Sequence, residues 1–267
     1  MSGTRDNRAA VGGLKDQIKQ VLREVRTSNE VKSSNDRGSA SVQHIRIKQL
    51  LSRATPAMIA QAEQELVSEG FTQADLTSAC DAHLELFREA AGEQTFNLPA
   101  DHPISHFETD HRVILRALAD LRTAIASARS RNSLQAAAGE LIEMQRCVDL
   151  LLAAENHNVR QENTLFPILE RHGIEQPPAI MWQEHTDMRR DKKTMAAILS
   201  TVAELEDMLN RLDAAAIVFT EKFAAHTQKE TRILYPASLE LFSEAEWQDI
   251  KEECDNLGYF TDSTGDN

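Results

Sequence analysis

Two eleven-residue segments of the chain carry metal-ligating residue types at a repeated spacing. HNVRQENTLFP occupies residues 157–167 and HTQKETRILYP occupies residues 226–236. Each segment begins with histidine and ends in an apolar residue, an aromatic residue and proline. In the second segment, His226 and Glu230 are four residues apart and lie on one face of a helix, near enough to bind the same ion or adjacent ions. The repeat predicts that His157 and His226 ligate metal.

Two further histidines directly follow a carboxylate. Asp110-His111 begins DHRVILR, and Glu184-His185 begins EHTDMRR. Each pair precedes one of the eleven-residue segments, which indicates two helical hairpins that each supply one histidine per helix. In a four-helix bundle, inward-pointing imidazoles and carboxylates build a dimetal site, in which carboxylates bridge the ions. Mixed nitrogen and oxygen ligands suit iron, with manganese or zinc as alternatives.

Pro167 and Pro236 stand inside stretches that otherwise have the pattern of long helices. Proline lacks a backbone donor, and its ring clashes with the preceding turn of a helix. We therefore expect each proline to kink its helix below the site and to release a carbonyl group there.

The elements that must position these residues are predicted to be helices throughout. Glycine (10) and proline (7) are scarce, and no periodic strand signal competes with the helical pattern. Four long segments with short joins predict an antiparallel up-down four-helix bundle. They cover about residues 101–129, 133–170, 179–199 and 209–241, with Gln176-Pro177-Pro178 as a separator. Ser243 to Glu246 has the pattern of a capping box that opens a last short helix.

Composition changes along the chain predict four parts. Residues 1–43 are a flexible arm with a short helix, and residues 44–95 are a small helical domain. In that domain one helix is expected to begin at Thr55-Pro56 and to stop at Gly70. Residues 96–258 form the bundle with its short C-terminal helix, and residues 259–267 form a tail.

Charge and composition narrow the classes of function. The net charge is −13 and no basic patch is interleaved with aromatic residues, which argues against nucleic acid and anionic membranes as partners. No run of about 18 apolar residues occurs and the N-terminus has no apolar leader region, so a soluble, cytoplasmic protein is expected. Cys80, Cys147 and Cys254 lie far apart, so neither a disulfide framework nor a zinc knuckle is indicated.

A family resemblance rests on four motifs: DHPISHFETDHRVI, HNVRQENTLFP, MWQEHTDMRR and HTQKETRILYP. Together they resemble the hemerythrin-like (HHE cation-binding) domain over about residues 101–242. The preceding segment, IAQAEQELVSEGFTQADLTSACDAHLELFREA, resembles the small helical domain of unknown function that often precedes it. The resemblance implies a hemerythrin-like bundle with a non-heme iron centre. It also implies a ligand set of His111, His157, His185, His226 and Glu230.

The sixth ligand is where this sequence departs from the family pattern. The bridging carboxylate is expected four residues after His157, where this chain has the neutral amide of Gln161. Glu162 is adjacent but about 100° further around a regular helix, so it reaches the site only where the helix is wound differently. We include Glu162 in the predicted ligand set, with Gln161 and His106 as further candidates. Two irons are expected, and a single ion is the alternative because the loss of one bridge weakens a second-ion site.

Three functions are compatible with these residues. The leading hypothesis is a binding protein, rather than an enzyme, that takes up dioxygen or nitric oxide to sense or buffer it and that signals to a protein partner. The second is a stress protein that repairs iron centres or reduces nitric oxide or peroxide. It is disfavoured because Cys80 is the one N-terminal thiol and nothing pairs with it. The third is a helical interaction module whose metal site has degenerated at Gln161.

Overall fold

The computed structural model describes residues 13–21, 23, 50, 53–72, 96–201 and 204–260, and the regular structure within these ranges is entirely helical. The all-α prediction is therefore confirmed. The chain divides into two compact units. The N-terminal unit comprises Met1–Thr95, Leu169–Ile180 and Gln228–Phe242, and the histidine unit comprises Phe96–Ile168, Met181–Thr227 and Ser243–Asn267. The four-part domain organisation stays a prediction. The predicted arm apart from residues 13–21 and 23, residues 261–267 of the tail predicted at 259–267, and Cys80 lie outside the described residues.

Two of the elements named here are π-helical turns, in which each backbone N–H bonds five residues back. The elements are α1 (Pro56–Ser68), α2 (Pro103–Ala128), α3 (Ala138–Ala153), α4 (Glu155–Arg160), π1 (Gln161–Leu165), α5 (Phe166–Arg171), α6 (Gln176–Ser200), α7 (Leu205–Lys229), π2 (Glu230–Leu234), α8 (Tyr235–Leu241) and α9 (Glu244–Leu257). The first hairpin denotes α2 to π1, and the second hairpin denotes α6 to π2.

Local side-chain caps fix the starts of three helices. Thr55 accepts a hydrogen bond from the Met58 amide at 3.3 Å, as expected for a helix that begins at Pro56. The His102 ring accepts one from the Ile104 amide at 3.1 Å, with proline as the first residue of α2. Ser243 and Glu246 form the predicted capping box of α9. Each cap satisfies an amide that has no partner inside its helix.

The start of α6 differs from the sequence prediction. The helix begins at Gln176 and includes both Pro177 and Pro178, which were predicted to separate two helices. That prediction was wrong because proline is tolerated in the first turn of a helix, where its missing N–H would have no helical partner.

Each of the prolines that ends an eleven-residue segment follows a π turn. The Phe166 amide donates to the carbonyl of Gln161, and the Tyr235 amide donates to the carbonyl of Glu230, so both bonds span five residues. A proline ring clashes with the carbonyl four residues before it in a regular helix, and a wider turn relieves that clash. Where the sequence predicted a kink at each proline, the structure has a π turn, which begins four residues after His157 or His226.

The core of the histidine unit is one hydrophobic cluster to which α2, α3, α6 and α7 all contribute. Leu121 and Leu151 are fully buried in it, as are Met195 and Leu212. The cluster holds the helices together next to the histidines, since Ile114 belongs to it and lies one turn after His111.

In the N-terminal unit, α1 packs against π2 and α8. The Ala57 amide donates to Glu240 Oε2 at 3.3 Å, near the start of α1. The His172 ring stacks on Phe242, with ring centroids 5.5 Å apart. No described helix in either unit has both the length and the hydropathy needed to cross a bilayer.

Candidate metal centre

Four buried histidines gather around one glutamate. His157 and His185 are fully buried, while His226 and His111 are 1% and 7% exposed. Among the described residues, the groups suited to holding a metal ion are His111–His157–Glu230 and His185–His226–Glu230. Within each group the ligand atoms lie within 4.8 Å of one another. Glu230 belongs to both groups, as expected of a carboxylate that bridges two ions.

In the first hairpin, a carboxylate orients His157. The Nδ1 atom of His157 is 3.1 Å from Asp110 Oδ2. A carboxylate only accepts, so Nδ1 carries the proton and the Nε2 lone pair is left for another partner. The side-chain amide nitrogen of Gln161 is 3.2 Å from that Nε2 atom. Gln161 therefore faces the ligating edge of the imidazole, from the position where a carboxylate was expected.

The second hairpin repeats this arrangement. The Nδ1 atom of His226 is 2.8 Å from Glu184 Oε2. Asp110 and Glu184 directly precede His111 and His185, so each carboxylate–histidine pair supplies one candidate ligand and orients the histidine of the next helix. The sequence repeat contained this signal, but no role was assigned to Asp110 or Glu184. Such carboxylate–histidine bonds fix ring orientation and raise ligand basicity in metal sites.

The Nε2 atoms of His185 and His226 face each other at 3.2 Å. The Nδ1 atom of His185 is 2.8 Å from Glu162 Oε1, so both rings direct their Nδ1 protons at carboxylates. Two lone pairs at this separation repel unless a cation lies between them. Two nitrogens that are each about 2.1 Å from one ion stand roughly 3.0 to 3.4 Å apart for angles between octahedral and tetrahedral. The donor set therefore fits a metal ion.

Glu162 holds His185 and belongs to neither ligand group. The Nη2 atom of Arg189 lies 2.5 and 2.6 Å from its two carboxylate oxygens. Burial raises the pKa of Glu162, and the hydrogen bond from Arg189 opposes that rise. The ligand role of Glu162 stays a prediction, and its described bonds are those of a residue that orients a ligand. The π turn that begins at Gln161 changes the winding on which its expected direction depended.

Asp110 is held in turn by a fully buried arginine. Arg160 pairs with Asp110 and donates through Nε to Asn156 Oδ1 at 2.9 Å. The guanidinium carbon lies over the rings of Phe107 and Tyr259, at 5.3 and 4.6 Å from their centroids. Residues that follow α9 therefore pack on the group that holds His157. Sequence reasoning missed Arg160 because an arginine on a helix is usually solvated.

His106, the remaining candidate, lies beside the same C-terminal residues. Its ring centroid is 4.3 Å from that of Tyr259, and it belongs to neither ligand group. Its role as a substitute ligand stays a prediction.

A small cavity lies next to the histidines within the histidine unit. Its volume is about 10 Å³ for the centre of a water-sized molecule. It is lined by Ile114, Leu151, Ala154, Asn158, Met188, Lys192, Phe219 and Phe223. Four of these residues stand one helical turn from a histidine: Ile114 from His111, Ala154 from His157, Met188 from His185 and Phe223 from His226. Such a volume holds one water-sized molecule and excludes an organic substrate.

Buried histidines with a shared glutamate on packed helices define a helical metal-binding protein. Residues 102–238, which are more than half of the chain, match the hemerythrin HHE cation binding domain, and the chain belongs to that family. Residues 14–93 match a family of unknown function, DUF438. No curated protein sequence matches the chain. The resemblance predicted from the motifs is thus confirmed.

Proposed function

We propose that the protein binds dioxygen or nitric oxide at a non-heme iron centre, with two irons, and that it senses or buffers that gas. The observation that carries the proposal is the pair of ligand groups that share Glu230. Each group offers three protein ligands, so an ion in either one keeps positions open for an outside ligand.

The donor chemistry favours iron. Four imidazoles and one carboxylate form a mixed nitrogen and oxygen set, which suits iron, with manganese and zinc as alternatives. Iron held by these residues would supply an electron-rich position for reversible binding of a diatomic gas. Asp110, Glu184 and Glu162 hold three of the four histidines in the orientation that ligation needs.

The cavity favours a gas over a larger substrate. It has room for one water-sized molecule, and six of its eight lining residues are apolar. A small apolar chamber beside an open metal position suits uptake and release of a diatomic molecule.

Sensing requires that the site communicate with the rest of the chain. Tyr259 packs on Arg160, which holds Asp110 and through it His157. The Asn156 side chain, which Arg160 contacts, donates to the carbonyl of Leu257 at the end of α9 at 3.1 Å. This chain of contacts offers a route by which a protein partner at α9 would read the state of His157.

The test is metal analysis of anaerobically purified protein, with absorption spectra recorded before and after exposure to air and to nitric oxide. We expect about two irons per chain and a new absorption band with at least one of the gases. The His172→Gln variant is the matched control, because His172 stacks on Phe242 and belongs to neither ligand group. Protein without iron, or iron-loaded protein whose spectrum neither gas changes, would refute the proposal.

A further inference from the structure

We propose that α1 positions Glu230 by packing on π2, and that this packing controls the affinity of the metal centre. The inference rests on the metal centre of the proposed function. It gives a role to the segment that matches a family of unknown function, since α1 lies within residues 14–93. It is carried by the contacts of α1, by the direction in which α1 runs and by the burial of Glu230.

α1 packs directly on the turn that carries Glu230. Within the N-terminal unit, α1 contacts both π2 and α8. π2 begins at Glu230, and Ile233 and Leu234 are buried along with it. Glu230 belongs to both candidate ligand groups, so α1 packs on the element that supplies their shared carboxylate.

α1 runs antiparallel to α8, with its second half at π2. The Ala57 amide, at the start of α1, donates to Glu240 Oε2 near the end of α8. Glu240 is six residues after Leu234, the last residue of π2, which is about 9 Å along a helix. Contact with π2 therefore comes from a similar distance along α1, where Glu63 and Leu66 are fully buried.

The turn on which α1 packs differs in charge from the other π turn. α9 packs on π1, whose first residue is the neutral Gln161, and α1 packs on π2, whose first residue is Glu230. Both side chains are fully buried. A buried carboxylate carries a larger desolvation cost than an amide, so π2 without metal is more strongly driven to open towards water. Packing by α1 opposes that opening, and an ion at Glu230 removes its cause.

The control of metal by α1 is necessarily reciprocal. If Glu230 leaves the site when α1 separates from π2, separation of α1 lowers the apparent metal affinity. By the same coupling free energy, bound metal makes separation of α1 less frequent. A protein that binds the segment of unknown function and draws α1 away would therefore release metal.

The first experiment measures amide hydrogen exchange of π2 in the metal-free chain. Gln61 is exposed on α1, so Gln61→Gly and Gln61→Ala change the stability of that helix without removing a buried side chain. We expect π2 amides to exchange about 5-fold faster in Gln61→Gly than in Gln61→Ala, because π2 opens when α1 separates. Equal rates in these two variants would overturn the proposal.

The matched control is the same type of change on another helix. Ala126 is exposed on α2, so Ala126→Gly weakens α2 by helix propensity alone. We expect it to leave π2 exchange at the wild-type rate. If Ala126→Gly accelerates π2 exchange as much as Gln61→Gly does, π2 opens with the whole fold and the specific role of α1 is refuted.

The second experiment measures exchange of the α1 amides after anaerobic addition of ferrous iron. We expect iron to slow this exchange by about 10-fold or more in the wild type and in Gln61→Gly. In Glu230→Gln, whatever iron remains bound should leave α1 exchange unchanged. Equal slowing in Glu230→Gln would show that α1 does not act through Glu230, which would overturn the proposal.

The two experiments distinguish failure of this inference from failure of the proposed metal centre. Iron uptake that leaves α1 exchange unchanged in the wild type would refute control by α1 and leave the metal centre standing. A chain that takes up no iron would refute the metal centre itself, whatever the exchange rates of π2.

Discussion

In the first hairpin, His157 donates to Asp110, which is 1% exposed and also paired with the fully buried Arg160. In the second, His226 donates to Glu184, whose side chain is 23% exposed. The two hairpins thus use the same orienting bond in different surroundings. The first encloses it in a buried network, and the second leaves its carboxylate partly in water. Both hairpins therefore provide the oriented imidazole that ligation requires. The first hairpin also has a buried charge that must be compensated for stability.

The hairpins also differ in charge at the position four residues after the second-helix histidine. Gln161 and Glu230 both begin π turns and both are fully buried, but only Glu230 is a carboxylate. The two hairpins are therefore more alike in backbone winding at this position than in the chemistry of the side chain. Glu230 belongs to both candidate ligand groups, so we expect metal binding to depend on it more than on any single histidine.

The largest difference is expected between Asp110→Asn and Glu184→Gln. Asp110→Asn leaves the buried Arg160 without its charged partner, so we expect a loss of about 3–5 kcal/mol in the free energy of unfolding. Glu184→Gln acts on a partly exposed pair, so about 1 kcal/mol or less is expected. Both variants should lower metal affinity by roughly 10- to 100-fold, because each disorients one histidine. Urea denaturation and chelator competition measure the two effects, and equal losses of stability would contradict the comparison.

Glu230→Gln makes the second hairpin resemble the first. Because both ligand groups lose their shared carboxylate, we expect the purified protein to retain less than about half of the wild-type metal. Bound metal stabilises by about 3–4 kcal/mol when it is present at 100 to 1,000 times its dissociation constant, and the variant should lose most of that increment. Metal analysis and thermal unfolding with and without chelator check this. A variant that keeps its full metal content would show that Glu230 does not bridge.

Gln161→Glu makes the first hairpin resemble the second. A carboxylate at this buried position adds a ligand, so we expect metal to survive roughly 10-fold more chelator than in the wild type. In the metal-free protein the same charge is buried without an ion, and a loss of about 1–3 kcal/mol in stability is expected. The sign of the stability change should therefore depend on metal. If the variant is less stable under both conditions, residue 161 does not face the ion.

Sequence reasoning succeeded where the determinants are local. The caps at Thr55 and Ser243 depend on residues within one helical turn, and helix periodicity predicted the all-α fold. The repeat likewise pointed to the four histidines that the structure brings together. The partners of Arg160 and Glu162 depend on packing between helices, which a single sequence does not encode locally. Regular helical spacing puts Glu162 about 100° away from the site, and that spacing does not hold across the π turn that begins at Gln161.

Lys192→Leu tests the smallest difference, because it gives the second hairpin the residue that the first has at Leu118. Burial lowers the pKa of Lys192 below its usual 10.5, so between the lowered pKa and 10.5 the unfolded chain binds more protons than the folded one. The contribution of Lys192 to stability therefore rises with pH across that window. Below the lowered pKa both states are protonated and the cost of burial is fully present. We therefore expect the free energy of unfolding of the wild type, measured by urea denaturation, to rise relative to that of Lys192→Leu as the pH is raised from 7 to 10. Lys193→Leu, at an exposed position, should follow the wild type. If the stability difference between wild type and Lys192→Leu stays constant with pH, the ammonium is fully compensated, and the two hairpins differ at this position in shape but not in charge.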